Sequence, residues 1–417
     1  MPALSGKLTP RAKFATVLLR GAAALSRATG RGDGSVIGGR VGLVVEPELL
    51  NLLAEGRGVA LVSGTNGKTT TTRFTTAAME AAGKVATNSF GANMPTGHTT
   101  ALAKTPDAQL AALEVDEHYL GQLLGATQPK VVGLLNLSRD QLDRAMEVTS
   151  LAAKWREIVE KDIHDSIVVA NADDPLIVWA AQPATHIVWV SGGQNWTADS
   201  SICPVCGKHL DRFGEFWRCT HCGFTRPNPV WTVADEGSAV IAPDGSRVEL
   251  DLQLPGRINR ANAAMALAMA AQFGVSPHQA APNLSTVQSV AGRYATVERD
   301  GRRLRLLLAK NPAGWLENFD MIRPDLPVIL ALNAREVDGF DTSWIYDVDF
   351  NSLRGRSVLV TGDRRTDLAV RLEMDDVDFT VVDDVSAAIG HASAGDVEVI
   401  ANYTAFQDIR KEFNRVN

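Results

Sequence analysis

The seven residues Gly64-Thr65-Asn66-Gly67-Lys68-Thr69-Thr70 restrict the possible folds more than any other stretch of this 417-residue chain. They follow a short apolar run, residues 56–62 (GRGVALV), which ends at Ser63 and reads as a β-strand. After them a stretch from Thr69 to about Ala82 favours helix. Strand, tight glycine loop and helix in that order make a phosphate cradle, because Gly64 and Gly67 let the backbone turn until its N–H groups face the phosphates. Lys68 is placed to neutralise the β- and γ-phosphates, and the Thr69 hydroxyl to ligate Mg²⁺. Thr65, Asn66 and Thr70 complete the expected nucleotide-contacting set. The plain alternative, a glycine-rich turn with a chance lysine, does not account for the matching flanks.

Other apolar runs, Val131–Leu137, Ile167–Ala170 and Ile187–Val190, are each bounded by turn residues and alternate with helical stretches. That alternation predicts an α/β fold with a largely parallel sheet. Residues 230–255 alternate like strands, and Ile258–Phe273 reads as an alanine-rich helix closed by Gly274. A second α/β unit is expected from Glu298. Its candidate strands are Leu304–Ala309, Leu326–Leu332, Ser357–Thr361, Phe379–Val382 and Val397–Ala401, with a helix over Asp363–Met374. At this length two or three domains are the natural division. The net charge of −7 argues against a general nucleic-acid binder, which needs a basic excess to neutralise phosphates.

The acidic run Leu113-Glu114-Val115-Asp116-Glu117 is expected to end a helical stretch and to offer carboxylates to a hard cation, with Glu114 as the metal ligand. A solvated acidic turn is the ordinary reading of such a run. All four cysteines fall in one window: Cys203-Pro-Val-Cys206-Gly and Cys219-Thr-His-Cys222-Gly. Paired knuckles at this spacing predict a closed tetrahedral Zn²⁺ site of structural type, inserted in the α/β unit over residues 199–228. Committing every cysteine to that cluster leaves no thiol to serve as a glutaminase nucleophile.

Near the N-terminus, Phe14, Val17, Leu18 and Leu25 recur at helical spacing, punctuated by Arg11, Lys13, Arg20 and Arg27. Arg20 interrupts any signal-peptide core. Two readings stay open, an amphipathic helix packed on the body or a helix touching anionic lipid. No run is long enough to cross a bilayer, and the chain reads as cytoplasmic.

Taken in order, these landmarks resemble the Mur ligase family, whose P-loops commonly read GTNGKT. Glu114 matches the position of a Mg²⁺-binding glutamate. Asn136-Leu-Ser-Arg-Asp-Gln-Leu-Asp143 is similar to the family's N-x-x-x-D-H-L-D, and Asn171-Ala-Asp-Asp-Pro175 to its N-A-D-D-P. Gly256-Arg-Ile-Asn259-Arg-Ala-Asn262 resembles the segment near the adenine, and Arg293 the arginine before the C-terminal domain. Two departures stand out. Gln141 replaces a histidine that binds the second metal, and only about 55 residues precede the P-loop strand, too few for the usual UDP-sugar domain.

Both departures fit one subgroup of the family, which is also similar over Asn88–Pro95, Asp338–Asp347 and Thr361–Arg365. The resemblance implies a short N-terminal segment (1–55), a Mur ligase-like central P-loop domain (56–297) carrying the zinc ribbon, and a C-terminal Rossmann-like α/β domain (298–417). It implies ATP, Mg²⁺ and Zn²⁺. The implied reaction is ATP-dependent amidation of the D-glutamate α-carboxylate of lipid II, with ammonia from a class I, GatD-like glutaminase subunit, at the inner face of the membrane. Lys68, Glu114 and Asp347 are then the expected catalytic residues, Asp347 accepting a proton from ammonia. Asn259, Asn262 and Arg293 join the P-loop in nucleotide binding, and Asn311 is a further candidate for phosphate or nucleotide contact. Asp338 and Asp341 read as turn-formers around Gly339. Lys154 resembles a lysine that many relatives carbamylate, but reads better as an ordinary helix-surface lysine. The alternative activity is an amino-acid-adding ligase of the Mur or folylpolyglutamate-synthase kind.

Overall fold

The structure, a computed structural model, describes residues 8–30, 32–88, 91–139, 148–163, 165–234, 236–288, 294–299, 301–335, 338–392 and 395–414. Three helices come first: α1 (Pro10–Ala28), α2 (Ser35–Val45) and α3 (Leu49–Ala54). Thr9 caps α1, its hydroxyl accepting from the Ala12 N–H. The face α1 turns inward is built from small residues and one leucine (Ala12, Ala15, Thr16, Leu19, Ala23, Ser26). The four large apolar residues of the sequence pattern lie exposed on the outside. The helix is therefore packed, but through the opposite stripe to the one its large side chains suggested.

The central sheet starts with β1 (Gly58–Ser63) and continues through β2 (Val85–Thr87), β3 (Leu110–Glu114), β4 (Val131–Leu134), β5 (Ile167–Asn171) and β6 (Ile187–Ser191). A separate two-stranded ribbon, β7 (Asp211–Phe213) and β8 (Phe216–Arg218), interrupts it. Then β9 (Trp231–Val233), β10 (Ala239–Ile241) and β11 (Arg247–Glu249) complete it. The order is β11-β10-β9-β6-β5-β4-β1-β3-β2, parallel from β2 to β9 and antiparallel only at the β9-β10-β11 edge. Strands β1, β4 and β5 are almost wholly apolar because helices cover both faces of the sheet. Those helices are α4 (Lys68–Met79), α5 (Pro95–Lys104), α6 (Leu120–Thr127), α7 (Val148–Asp162), α8 (Pro175–Ala181), α9 (Arg257–Ala271) and α10 (Pro277–Leu284). The segment around Glu114 is thus a buried strand, not the end of a helix as the sequence suggested. Its residues Leu110–Glu114 pair in register with β1, Val62 opposite Glu114.

The second sheet has the order β12-β13-β17-β14-β15-β16, formed by β12 (Tyr294–Arg299), β13 (Arg302–Leu308), β14 (Val328–Ala331), β15 (Val358–Thr361), β16 (Thr380–Val381) and β17 (Asp396–Ala401). Only β12-β13 is antiparallel. Helices α11 (Pro312–Met321), α12 (Arg365–Met374), α13 (Val385–His391) and α14 (Tyr403–Asn414) flank it. Because β12 begins at Tyr294, the cut expected at residue 298 falls inside a strand. Among the described residues no helix is long and apolar enough to cross a membrane.

Candidate functional site

In the central sheet β1 leads to β3 on one side and to β4 on the other, so its C-terminal end is the point where the strand order reverses, the usual crevice for ligands in such sheets. The P-loop leaves β1 there and runs into α4, which begins at Lys68. Gly67 has φ +82°, and a Cβ added to it would stand 2.8 Å from Asn262 Oδ1. The loop can therefore turn against α9 only with glycine at this position. The Asn136–Ser138 segment after β4 straps the loop from the other side. The Thr65 N–H donates to the Asn136 carbonyl (2.9 Å), and the Asn66 N–H to Asn136 Oδ1 (2.9 Å). The Ser138 N–H donates to Thr65 Oγ1 (3.1 Å).

Lys68 is buried. Its Nζ donates to the Gly64 carbonyl (2.6 Å) and pairs with Glu117 Oε1 at 2.9 Å. Sequence reasoning singled out Glu114 in this acidic run and gave Glu117 no role of its own. Glu114 is 2% exposed at the end of β3. Asn88 clamps its backbone, accepting from the Glu114 N–H (2.8 Å) and donating to its carbonyl (3.0 Å). That carbonyl also accepts from His98 Nε2 at 2.7 Å. Burial pulls the His98 imidazole down to about 4, so it is neutral with the proton on Nε2. Among the described residues no donor reaches the Glu114 carboxylate, and the Thr69 hydroxyl lies at the first turn of α4. A nearly buried carboxylate with no donor among the described residues, at the end of the strand paired with the one that leads into the P-loop, is a ligand type that suits Mg²⁺.

From the P-loop a cleft of about 1220 Å³, part of it open to solvent, runs between α9 and the second sheet. Asn66, Gly67 and Thr70 line one end, Asn259 and Asn262 its α9 wall, and Gly192 and Gly193 a second wall. Leu308, Gly314 and Glu317 face them from the C-terminal side. Asn311 crosses between the walls. Its Oδ1 caps α11 through the Gly314 N–H (2.9 Å), while its Nδ2 donates to the Arg139 carbonyl (2.9 Å). Arg139 in turn holds Asp199 (2.6 Å) and Asp347 Oδ2 (3.0 Å). Asp347 sits at the exposed end of a 3-10 turn, Ser343–Asp347. On the far wall Arg257 donates to Glu317 Oε1 (2.5 Å), whose carboxyl burial raises above the usual range.

Of the sequence-derived candidates, Asn66, Gly67 and Thr70 of the P-loop thus meet Asn259 and Asn262 at one cleft, with Asn311 hydrogen-bonded across its edge and Glu114 on the strand next to β1. Asp347 joins through Arg139. Arg293 and Asp140–Asp143, including Gln141, lie outside the described residues. Lys154 is exposed on α7. Asp338 accepts from the Thr404 N–H (2.8 Å) and so anchors the start of α14. His98, Glu117 and Arg139 were missed as functional residues. None carries a local signature, since each acts through a partner at least 16 positions away in sequence.

The four cysteine sulfurs lie within 4.8 Å of one another. Cys203 Sγ to Cys222 Sγ is 3.6 Å and Cys206 Sγ to Cys219 Sγ is 3.5 Å. A tetrahedral Zn²⁺ with bonds of about 2.3 Å spaces its sulfurs by about 3.8 Å, so the cluster has the right size for that ion. The Cys222 and His221 N–H groups point at Cys219 and draw its thiol down to about 6. The ribbon is tied to the cleft wall. Trp217 donates to the Ala172 carbonyl (3.1 Å), and Arg226 pairs with buried Asp173 (2.6 Å). Asp173 also accepts from the N–H groups of Gly192 (2.9 Å) and Gly193 (2.8 Å).

A P-loop at the switch point of a parallel sheet, faced across one cleft by a second α/β sheet, defines a nucleotide-binding α/β protein of ligase architecture. The chain belongs to the Mur ligase family, matching the Mur ligase middle domain over residues 62–270 and the MurT ligase C-terminal family over 308–406. It is 29% identical over 425 residues (94% of this chain, 95% of the relative) to the lipid II isoglutaminyl synthase (glutamine-hydrolyzing) subunit MurT of Staphylococcus aureus strain COL. The corresponding MurT subunit of Streptococcus pneumoniae strain ATCC BAA-255 / R6 is 28% identical over 416 residues (91% and 92%). Among solved structures, the fold is shared with a pseudomurein peptide ligase type C from Methanothermus fervidus (TM-score 0.66, 19% identity, covering 87% and 79%). It is also shared with MurF ligase from Thermotoga maritima in complex with ADP (TM-score 0.61, 16% identity, 89% and 85%).

Proposed function

We propose that this chain is the synthetase subunit of a lipid II isoglutaminyl synthase. It would amidate the D-glutamate α-carboxylate of the stem peptide to D-isoglutamine at the expense of ATP, in peptidoglycan synthesis. The observation that carries this reading is the junction at Arg139. That residue ties the strap of the P-loop to Asp347 on the C-terminal side, so an exposed carboxylate, paired with Arg139, is linked to the loop that grips phosphate. The match to MurT subunits, which runs through both walls, supports lipid II as the substrate.

A carboxylate resists nucleophiles because of its charge and its poor leaving group, and phosphorylation removes both obstacles. A carboxylate oxygen of the substrate attacks the γ-phosphorus and ADP departs, leaving an acyl phosphate. Ammonia adds to the carbonyl carbon, Asp347 takes one proton from the nitrogen, and phosphate leaves with the C–O bond to give the amide. Lys68 offsets charge on the β- and γ-phosphates, while Gly64, Thr65, Asn66, Gly67, Thr69 and Thr70 seat them. Asn259, Asn262 and Arg293 serve the nucleoside end. Thr69 and Glu114 would hold Mg²⁺, which when bound offsets phosphate charge. The four cysteines would hold Zn²⁺ as a structural ion. All four cysteines of the chain stand in that cluster, which leaves free ammonia or a separate glutaminase subunit as the source, and the likeness to MurT subunits supports the subunit. The lipid-linked substrate places the work at the cytoplasmic face of the membrane.

The test is the mass of lipid II after incubation with ATP, glutamine, this chain and its co-expressed glutaminase. A product about one mass unit lighter, lost in Lys68→Ala, supports amidation. A gain of a whole amino-acid residue from an amine donor replaces this reading with the amino-acid ligase. Conversion of glutamine by this chain alone refutes the two-subunit arrangement.

A further inference from the structure

The outer face of the N-terminal helices is the largest feature that the proposed reaction leaves unused. On α1, Phe14, Val17, Leu18 and Leu25 all point away from the body, and Phe14, Val17 and Leu25 are 59, 65 and 65% exposed. Helix α2 lies directly against α1 and α5. A Cβ on Gly39 would fall 1.8 Å from the Thr96 carbonyl oxygen, so α2 turns its glycine stripe inward. Val36, Ile37 and Val44 are left facing out, Val44 at 76%. Single exposed apolar side chains are ordinary, but seven on two adjoining helices are a concentration of the kind that binds something.

The charge around the patch selects the occupant. Helices α1 and α2 carry Arg11, Lys13, Arg20, Arg27 and Arg40 and not one acidic residue, in a chain whose net charge is −7. Three acids flank the helices: Glu46 lies 3.7 Å from exposed Arg11 of α1, Asp33 accepts from the Ser35 N–H at 3.0 Å, and Glu48 is exposed just beyond α2. Among the described residues, exposed Lys13 and Arg40 make no ion pair or hydrogen bond through their side chains. A surface helix pair with an apolar crest and only basic charges on the helices themselves matches the boundary between anionic headgroups and acyl chains. We infer that the α1–α2 face is a membrane-docking surface, which seats the crest residues in the interfacial region of an anionic bilayer. It deepens the proposed function, because a lipid-linked substrate requires the cleft to work at a bilayer; the docking itself needs neither nucleotide nor substrate.

The experiment is flotation of the full chain, together with its co-expressed glutaminase, on vesicles of phosphatidylcholine with and without phosphatidylglycerol. Binding is expected only with phosphatidylglycerol, and is expected to weaken as salt rises. Phe14→Ser with Leu25→Ser, and separately Lys13→Glu with Arg40→Glu, are each expected to lower the bound fraction at least tenfold. Melting temperature and nucleotide affinity in solution should stay near wild-type values, because these side chains are mostly exposed and none lies in the nucleotide cleft. No binding to anionic vesicles, or equal binding by the variants, overturns the inference. Loss of the glutaminase from the complex in the variants, without vesicle binding by the wild type, also overturns it and assigns the patch to a protein partner. Vesicle binding in a protein that fails to amidate lipid II would refute the proposed reaction and leave this surface standing.

Discussion

Replacing Arg226 with methionine tests whether the cysteine ribbon supports the nucleotide cleft. Asp173 is almost completely buried and receives Arg226 Nε (3.0 Å) and Nη2 (2.6 Å), Ser191 Oγ (3.0 Å), and the N–H groups of Gly192 and Gly193. Removing one partner of a buried pair costs about 3–5 kcal/mol when the remaining charge is stranded. Here three neutral donors stay on the carboxylate, so the lower end, about 3 kcal/mol, is the expected loss. At roughly 2–4 °C per kcal/mol for a domain of this size, the melting temperature of the Arg226→Met protein should fall by about 6–12 °C. Because Gly192 and Gly193 line the cleft, nucleotide affinity should fall with it. Adding Asp173→Asn removes the stranded charge while keeping an acceptor for the two glycine N–H groups, so the double variant should recover about half the loss. The assay is differential scanning calorimetry with zinc present, paired with titration calorimetry for ATP. A single variant that melts within 1 °C of wild type, or a double variant that melts below the single, would refute this account of the wall.

Gly67→Ala forces a side chain onto Asn262 at positive φ, so a raised KM for ATP and a stability loss of about 1–2 kcal/mol are expected. Gly125→Ala meets nothing within 4 Å in α6 and should instead stabilise by about 0.5–1 kcal/mol in the same melts. For His98 the folded state refuses a proton that the unfolded chain takes up below pH 6.5. Its contribution is therefore intact above pH 6.5 and lost as pH falls toward 4, by about 3 kcal/mol. Asp174, pushed up to about 6 by burial, works in the opposite direction over much of that window. The readout is accordingly the difference between wild-type and His98→Gln stability profiles, which should slope upward with pH; a flat difference refutes it. Asp347→Asn should cut kcat about 100-fold or more while leaving the melting temperature unchanged, since an exposed ion pair is worth at most about 1 kcal/mol. Equal losses of activity and stability would instead mark Asp347 as a structural partner of Arg139.

Much of this architecture is legible from local pattern. The P-loop announced itself because its geometry, strand and glycine loop and helix, is contained in about twenty consecutive residues. The cysteine ribbon did so because metal ligands come in knuckles of fixed spacing. Where the reading failed, the deciding information was non-local. The acidic run Leu113–Glu117 looked like the end of a helix in isolation, yet pairing with β1 on one side and β2 on the other makes Leu110–Glu114 a strand. The large residues of α1 looked like its buried stripe, whereas the available space against α2 and α5 admits alanine and serine instead. Glu117 was indistinguishable from Asp116 until the fold brought Lys68 to it across 49 positions.

The two sides of the cleft are held together in a way that suits a reaction with three substrates. The large apolar clusters stay on their own sides: one pair is built on the central sheet, the other on the C-terminal sheet, and Tyr294 packs against both. Apart from Tyr294 and the Met321 side chain against Gly256, what crosses between them among the described residues is mostly polar: Asn311 to the Arg139 carbonyl, Arg139 to Asp347, Arg257 to Glu317, and Asn195 to Asp320. Such contacts are worth about 1 kcal/mol each in net terms because water replaces them when they part. An apolar seam of the same area would cost several times more to open. Separating the walls is therefore inexpensive beside unfolding either sheet, while the hydrogen bonds still fix one register when they close. The C-terminal side can leave to admit a bulky carboxylate substrate and return Asp347 to the same place relative to the P-loop.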